Sequence, residues 1–253
     1  MTARLHNADV DLGGLLEVLG RNLYSRPEVA VRELVQNAHD SLTRRAIEDG
    51  SLPPGASIRV QPRPAEGQLR IEDDGAGLTR DEIVEYLAVV GRGYTGVLRD
   101  QSGSEQLIGA FGLGFLSAYV IADRVEVWTC SRQDPDRAWR FVSADGQRYS
   151  VEPAASRPVG TEVRLTLKEK HREYCSAGPI RRLLDTYCPL LSHPIHVDGD
   201  PDPVTIVPPW RLDEAPSTIR LRKLRLEFAE RFDQWLEPVA TLPVDAPECR
   251  GLL

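Results

Sequence analysis

The sequence predicts a folded chain that mixes helices with short strands, and three observations carry that expectation. Leu12, Leu15, Leu16, Leu19 and Leu23 recur at three- and four-residue spacing, which makes one apolar helical stripe. Ile58 to Val60 and Leu69 to Ile71 are short apolar runs on either side of a turn at Glu66-Gly67, as paired strands require. The 253 residues are 41% apolar and 27% charged, which is an ordinary globular composition over a length suited to one large domain or one domain with an attached piece.

Taken in order, residues 10–24 form the first helix. A second begins after Ser25 as N-cap, carries Pro27 in its first turn and runs to Gly50, which suits a left-handed C-terminal position. The two strands follow, and Asp73-Asp74-Gly75-Ala76-Gly77 comes directly after the second. Thr79 and Glu82 have the spacing of a capping box, with a helix expected to about Val90. Gly91, Gly93, Gly96 and Gly103 then give too much backbone freedom for a packed element, so a mobile loop is expected. An apolar helix from Phe111 to Ile121 is entered through Gly109, Gly112 and Gly114. Strands are expected at Val125–Thr129, Trp139–Val142 and Glu162–Leu167, with Asp145-Gly146 as a hairpin turn. A helix over 178–191 and a last strand at His193–Val197 complete the domain. Pro201, Pro203, Pro208, Pro209 and Pro216 mark a linker, and the charged helical segment Leu221–Leu236 beyond it is too short to make a domain.

A net charge of -7 opposes a nucleic-acid partner. Cys130, Cys175, Cys188 and Cys249 are far apart and form no C-x-x-C pair, so buried free thiols in a reducing cytoplasm are expected instead of zinc or redox chemistry. No stretch approaches the ~18 apolar residues of a membrane span, and the first residues lack the pattern of an export leader.

Three clusters carry chemistry. Glu33, Asn37 and Asp40 fall on one stripe of the second helix, where oxygen donors could seat a hydrated magnesium ion; a solvated helix face is the competing reading. Asp73-x-Gly75-x-Gly77 ends a strand, and its carboxylate, which only accepts hydrogen bonds, suits the exocyclic amino group of adenine; a plain turn explains the same residues. Gly109, Gly112 and Gly114 sit at the start of a helix, where free N–H groups attract phosphate, or where close packing needs small residues. No Gly-Lys-Ser/Thr follows, so this is not a Walker loop. Thr161 opens a strand; its hydroxyl could reach a base through water, though strand propensity accounts for it equally.

The blocks RELVQNAHD, IEDDGAGLT, IGAFGLGFLSAY and VGTEVRLTL occur in an order that resembles the GHKL ATPases. Within that group NLYS, GAFGLGFLSAYVIADRVEV and LLSHPI are most similar to the heat-shock protein 90 chaperones, and the likeness extends over roughly residues 9–210. The resemblance implies an α/β two-layer sandwich of the Bergerat type, with a mixed, mostly antiparallel sheet covered by helices. It divides the chain into an ATP-binding domain at 1–200 with a lid at about 91–114, a linker at 201–216 and the incomplete start of a middle domain at 217–253.

It further implies ATP or ADP and Mg2+ as cofactors, with Glu33 as the general base and Asn37 as the magnesium ligand. Asp73 would read adenine with Gly77 and Thr161. Gly112, Leu113, Gly114 and Phe115 would face the phosphates, and Ala38, Asp40 and Leu87 would line the pocket. Arg92 stands where the family has a lysine, Tyr86 where it has an asparagine, and His39 where it has a small residue. Pro208-Pro209-Trp210 resembles the family's lead-in to its middle domain, which supplies a catalytic arginine, so slow hydrolysis by this chain alone is implied. The implied partners are client proteins and a second protomer, joined through C-terminal regions beyond this chain, with neither nucleic acid nor membrane. A sensor kinase would need a phosphoacceptor helix pair ahead of Glu33, where only 32 residues stand, and a DNA-handling relative would carry basic surface. A nucleotide-binding switch without catalysis is the alternative of a different class.

Overall fold

The computed structural model describes residues 26–87, 114–212, 217–232, 243–246 and 249–252. The expected first helix, the lid and the positions Arg92, Gly112 and Leu113 lie outside these residues. Contacts divide the chain into two units, Met1–Thr205 and Ile206–Leu253.

The first unit opens with helix α1, Pro27–Asp49, which Gly50 closes in the left-handed conformation. Its N-cap position is Arg26, one residue beyond the expected Ser25, and no side chain caps it. Pro27 makes that tolerable, because it removes one of the N–H groups a cap would satisfy. Strand β1, Ile58–Arg63, turns through a short 3-10 segment at Pro64–Glu66 into β2, Gln68–Asp73. The capping box forms as expected: Thr79 N–H donates to Glu82 at 2.8 Å, and Glu82 N–H donates to the Thr79 hydroxyl at 3.2 Å. Helix α2 follows at Arg80–Leu87.

A 3-10 turn at Gly114–Ser117 runs into the short helix α3, Ala118–Ile121, where one continuous helix was expected. Strands β3, Ala122–Cys130, β4, Ala138–Ser143, β5, Tyr149–Ala154, and β6, Gly160–Leu167, come next. Helix α4, Ala177–Tyr187, and strand β7, Ile195–Val197, end the series.

The sheet order is β5-β4-β3-β6-β2-β1-β7. Among the described residues only β1 and β7 pair in parallel, so the sheet is mixed and mostly antiparallel. Alternate strand residues point to one face, where Ile58, Val60, Leu69, Ile71, Val125, Val127, Leu165 and Leu167 join Leu34, Leu42, Ile121 and Leu184 from the helices in one core. The opposite face carries charge. Arg140 pairs with Glu126 and Glu152, Arg164 with Glu162, and both guanidinium groups lie under 5 Å from the Trp128 ring centre, at 4.8 and 4.7 Å. Cys130, Cys175 and Cys188 are buried free thiols.

Residues 201–205 pack with this unit: Val204 is fully buried and its N–H bonds the Ile195 carbonyl at 2.8 Å. The second unit holds a 3-10 turn at Pro209–Arg211, helix α5 at Thr218–Phe232 and a hairpin of β8, Pro243–Ala246, with β9, Cys249–Leu252. Phe228 sits between the rings of Trp210 and Phe232, 4.9 and 4.7 Å away.

Candidate functional site

Two groups of side chains lie along α1, which packs against β2 and the turn at Gly114–Ser117. At the N-terminal half of α1, Glu33 and Asn37 stand one turn apart, and Gly114 approaches them. A methyl carbon at Gly114 would lie 3.0 Å from Glu33 Oε2 and 3.8 Å from the Asn37 side-chain nitrogen, so a side chain there would press on both. Arg32 donates to the other oxygen of Glu33, Oε1, at 2.7 Å, which leaves Oε2 on the Gly114 side. Asn37 is exposed.

The second group is set by strand register. Asp73, the last residue of β2, lies opposite Thr161 on β6, and Thr161 lies opposite Thr129 on β3. All three are buried. The two threonine hydroxyls are 3.0 Å apart, and Thr129 Oγ1 also takes the Leu78 N–H at 2.8 Å. Asp73 Oδ1 accepts from the Ser41 hydroxyl and from the Gly75 N–H, each at 2.9 Å. Burial pushes the Asp73 carboxyl up to about 7, against the pull of those two hydrogen bonds.

Asp74 has the contrary role. Its two oxygens take both Arg59 Nη groups, at 2.6 and 2.8 Å, and the Ser57 N–H at 3.1 Å. Burial works to raise this carboxyl too, but Arg59 and Ser57 outweigh it and hold it below the usual range. Gly77 closes the turn at φ +64°, and a Cβ there would fall 1.9 Å from the Cys130 carbonyl oxygen. Only glycine lets the chain from β2 pass that close to the end of β3.

The expected site residues are therefore not all alike. Glu33, Asn37 and Gly114 come together, as do Asp73, Gly77 and Thr161. Ala38 and Phe115 point into the apolar core, Phe115 edge-on to Tyr119 and Phe141, and Leu87 packs at its margin. Asp40 is buried with its Oδ1 3.4 Å from His39 Nδ1. His39 faces away toward Ser192, at 2.9 Å, and its ring is 4.7 Å from that of His193.

Two residues of the site were missed. Ser41 follows Glu33 and Asn37 at the next helical turn, so a longer look along that stripe would have found it. Thr129 had no such signal, because its place beside Thr161 depends on which strands pair.

A family model for histidine kinase-, DNA gyrase B-, and HSP90-like ATPases matches residues 24–170. The chain belongs to this ATPase family. Among its relatives, chaperone protein HtpG of Myxococcus xanthus is 37% identical over 202 residues, covering 75% of this chain and 31% of that protein. The mitochondrial heat shock protein 75 kDa of Bos taurus is 31% identical over 206 residues, covering 78% and 29%. HtpG of Gluconobacter oxydans is 33% identical over 204 residues, covering 76% and 33%. The chain thus spans about a third of the length of these relatives.

Proposed function

We propose that this chain is the ATP-binding and slowly hydrolysing module of a heat-shock protein 90-type chaperone. The observation that carries the reading is the carboxylate of Asp73: buried, bonded among the described residues through Oδ1 only, and beside the hydroxyls of Thr161 and Thr129. Its other oxygen, Oδ2, is open to a donor, and the exocyclic amino group of adenine is one.

Glu33, Asn37 and Gly114, gathered at the other end of the same helix, supply the phosphate side. Asn37 would give Mg2+ an amide oxygen, and that ion would take its other ligands from phosphate and water, as magnesium commonly does. Among the described residues no cluster of three or more His, Cys, Asp or Glu forms a cage of its own. Glu33 is then the general base for the attacking water through Oε2, while Arg32 holds Oε1. In this reading the positive charge of Arg92 and the backbone of Gly112, Leu113 and Phe115 would belong to this phosphate side, the Phe115 ring being turned into the core.

The names of the relatives, a chaperone protein and a heat shock protein, support chaperone activity in the whole protein; in this reading the nucleotide state governs lid closure and the handling of unfolded clients in protein folding and stress response. A homodimer formed through regions outside this chain, an ATP-binding domain at about 1–200 followed by linker and middle domain, and a cytoplasmic address complete the reading. No described helix is long and apolar enough to cross a membrane.

Calorimetry of ADP and ATP binding to the 253-residue chain, with and without magnesium, tests the proposal. Micromolar binding is expected, lost in Asp73→Asn, where an amide turns a donor toward a donor. Glu33→Ala is expected to keep that binding and to abolish turnover in the intact protein. A folded chain that takes up neither nucleotide overturns the reading.

A further inference from the structure

None of the motif blocks gives Ser41 a role, yet its hydroxyl touches the carboxylate on which the base site depends. It donates to Asp73 Oδ1 at 2.9 Å, and the Gly75 N–H donates to the same oxygen at 2.9 Å. Among the described residues, nothing bonds Oδ2. A free carboxylate turns about its last torsion in a broad well, so two donors converging on one oxygen fix the direction of the other. Ser41 is itself anchored, because its own carbonyl accepts the Ala76 N–H at 3.1 Å, tying α1 to the turn after β2.

We propose that Ser41 is a positioning residue of the base site: it holds Oδ1 of Asp73, aims Oδ2 at the base, and keeps the carboxyl in the accepting form. The proposal rests on the nucleotide reading of Asp73 given above. An aspartate buried among apolar neighbours favours its protonated form, and a protonated Oδ2 is a poor acceptor for an amino group. Among the described residues the charged groups acting on Asp73 are few. Asp74, next in the chain, favours the proton and Arg157, ahead of β6, opposes it. From α1 the charged neighbour is Arg45, whose guanidinium bonds the Asp74 and Gly75 carbonyls. At the register positions facing Asp73, β6 and β3 present only Thr161 and Thr129.

With burial raising the carboxyl to about 7, its protonated and ionised forms compete near neutral pH. Binding of an amino donor requires the ionised form. Affinity for ADP therefore falls by up to about tenfold for each pH unit below that midpoint. Removing a hydrogen bond to the charged form moves the midpoint up, by about one unit for a bond of typical strength.

The test measures ADP affinity for the parent chain, Ser41→Ala and Ser41→Thr between about pH 6 and 9, together with the carbon-13 titration of the Asp73 carboxyl without ligand. Ser41→Ala is expected to bind ADP about fivefold more weakly at pH 7, with the difference shrinking as pH rises, and to shift the carbon-13 midpoint upward. Ser41→Thr, which keeps the hydroxyl, restores both. An unmoved midpoint in Ser41→Ala, or a loss of affinity equal at every pH, overturns the role of Ser41 while ADP binding by the parent keeps the nucleotide reading. A folded parent that binds no ADP overturns both.

Discussion

Asp73 and Asp74 are chain neighbours held at opposite ends of the carboxylate range, one by burial and the other by Arg59. The consequence for stability has a definite sign. A rise of Asp73 from 3.8 to about 7 means that the folded chain keeps a proton the unfolded chain has lost. The associated stability, on the order of 4 kcal/mol at most, is present below pH ~4 and disappears as pH climbs through 7. His193 works the other way. Burial, helped by neighbouring His39 and opposed by Asp40, lowers it from 6.5 to about 4. The unfolded chain takes up that proton first, so His193 removes stability as pH drops from ~6.5 toward 4. The two dependences largely offset each other between those limits. Thermal unfolding of His193→Gln should therefore show stability rising on acidification from pH ~7 to 5, whereas Asp73→Asn should show it falling; matching profiles would contradict both assignments. Asp73 was legible in the sequence because a glycine-rich turn follows it. Ser41, whose hydroxyl bonds it, lies one turn beyond Asn37 on the same stripe but outside the motif block that ends at Asp40.

At the scale of elements, local chemistry predicted what local chemistry decides. The Thr79 and Glu82 box starts α2 through bonds within four residues of chain, and the Glu66-Gly67 turn joins β1 to β2 where expected. Strand β5 escaped because it is an edge strand, mostly exposed, with Pro153 in it, so neither alternation nor β-propensity marks it. The tight passage at Gly77 gives a prediction at this scale. Gly55 and Gly77 both have positive φ, but a Cβ at Gly55 meets nothing within 4 Å. Gly55→Ala should cost only the ~1 kcal/mol of the left-handed conformation. Gly77→Ala adds a collision with the Cys130 backbone and should cost several times as much, displacing the end of β3. Urea unfolding of the two variants decides it, and equal losses would mean that the turn yields freely.

For the whole molecule, the four motif blocks revealed the family, but the strand order that brings them together could not be read from spacing. Nor could the domain edge. Val204 sits in the core of the first unit although prolines surround it in the chain. A fragment ending at Thr205 should therefore fold and bind ADP as the full chain does, while one ending at Asp200, which removes Val204, should melt lower; equal melting would place the edge earlier. The register that sets Asp73 against Thr161 joins segments nearly ninety residues apart, and β1 meets β7 across a still longer stretch. Closing loops of that size is slow compared with forming α1 or the β3–β4 hairpin. The carboxylate and the hydroxyl proposed to face the base are thus expected to become neighbours only late in folding. A nascent chain gains its nucleotide pocket only after β6 has emerged, so ligand uptake during synthesis would report the arrival of that strand.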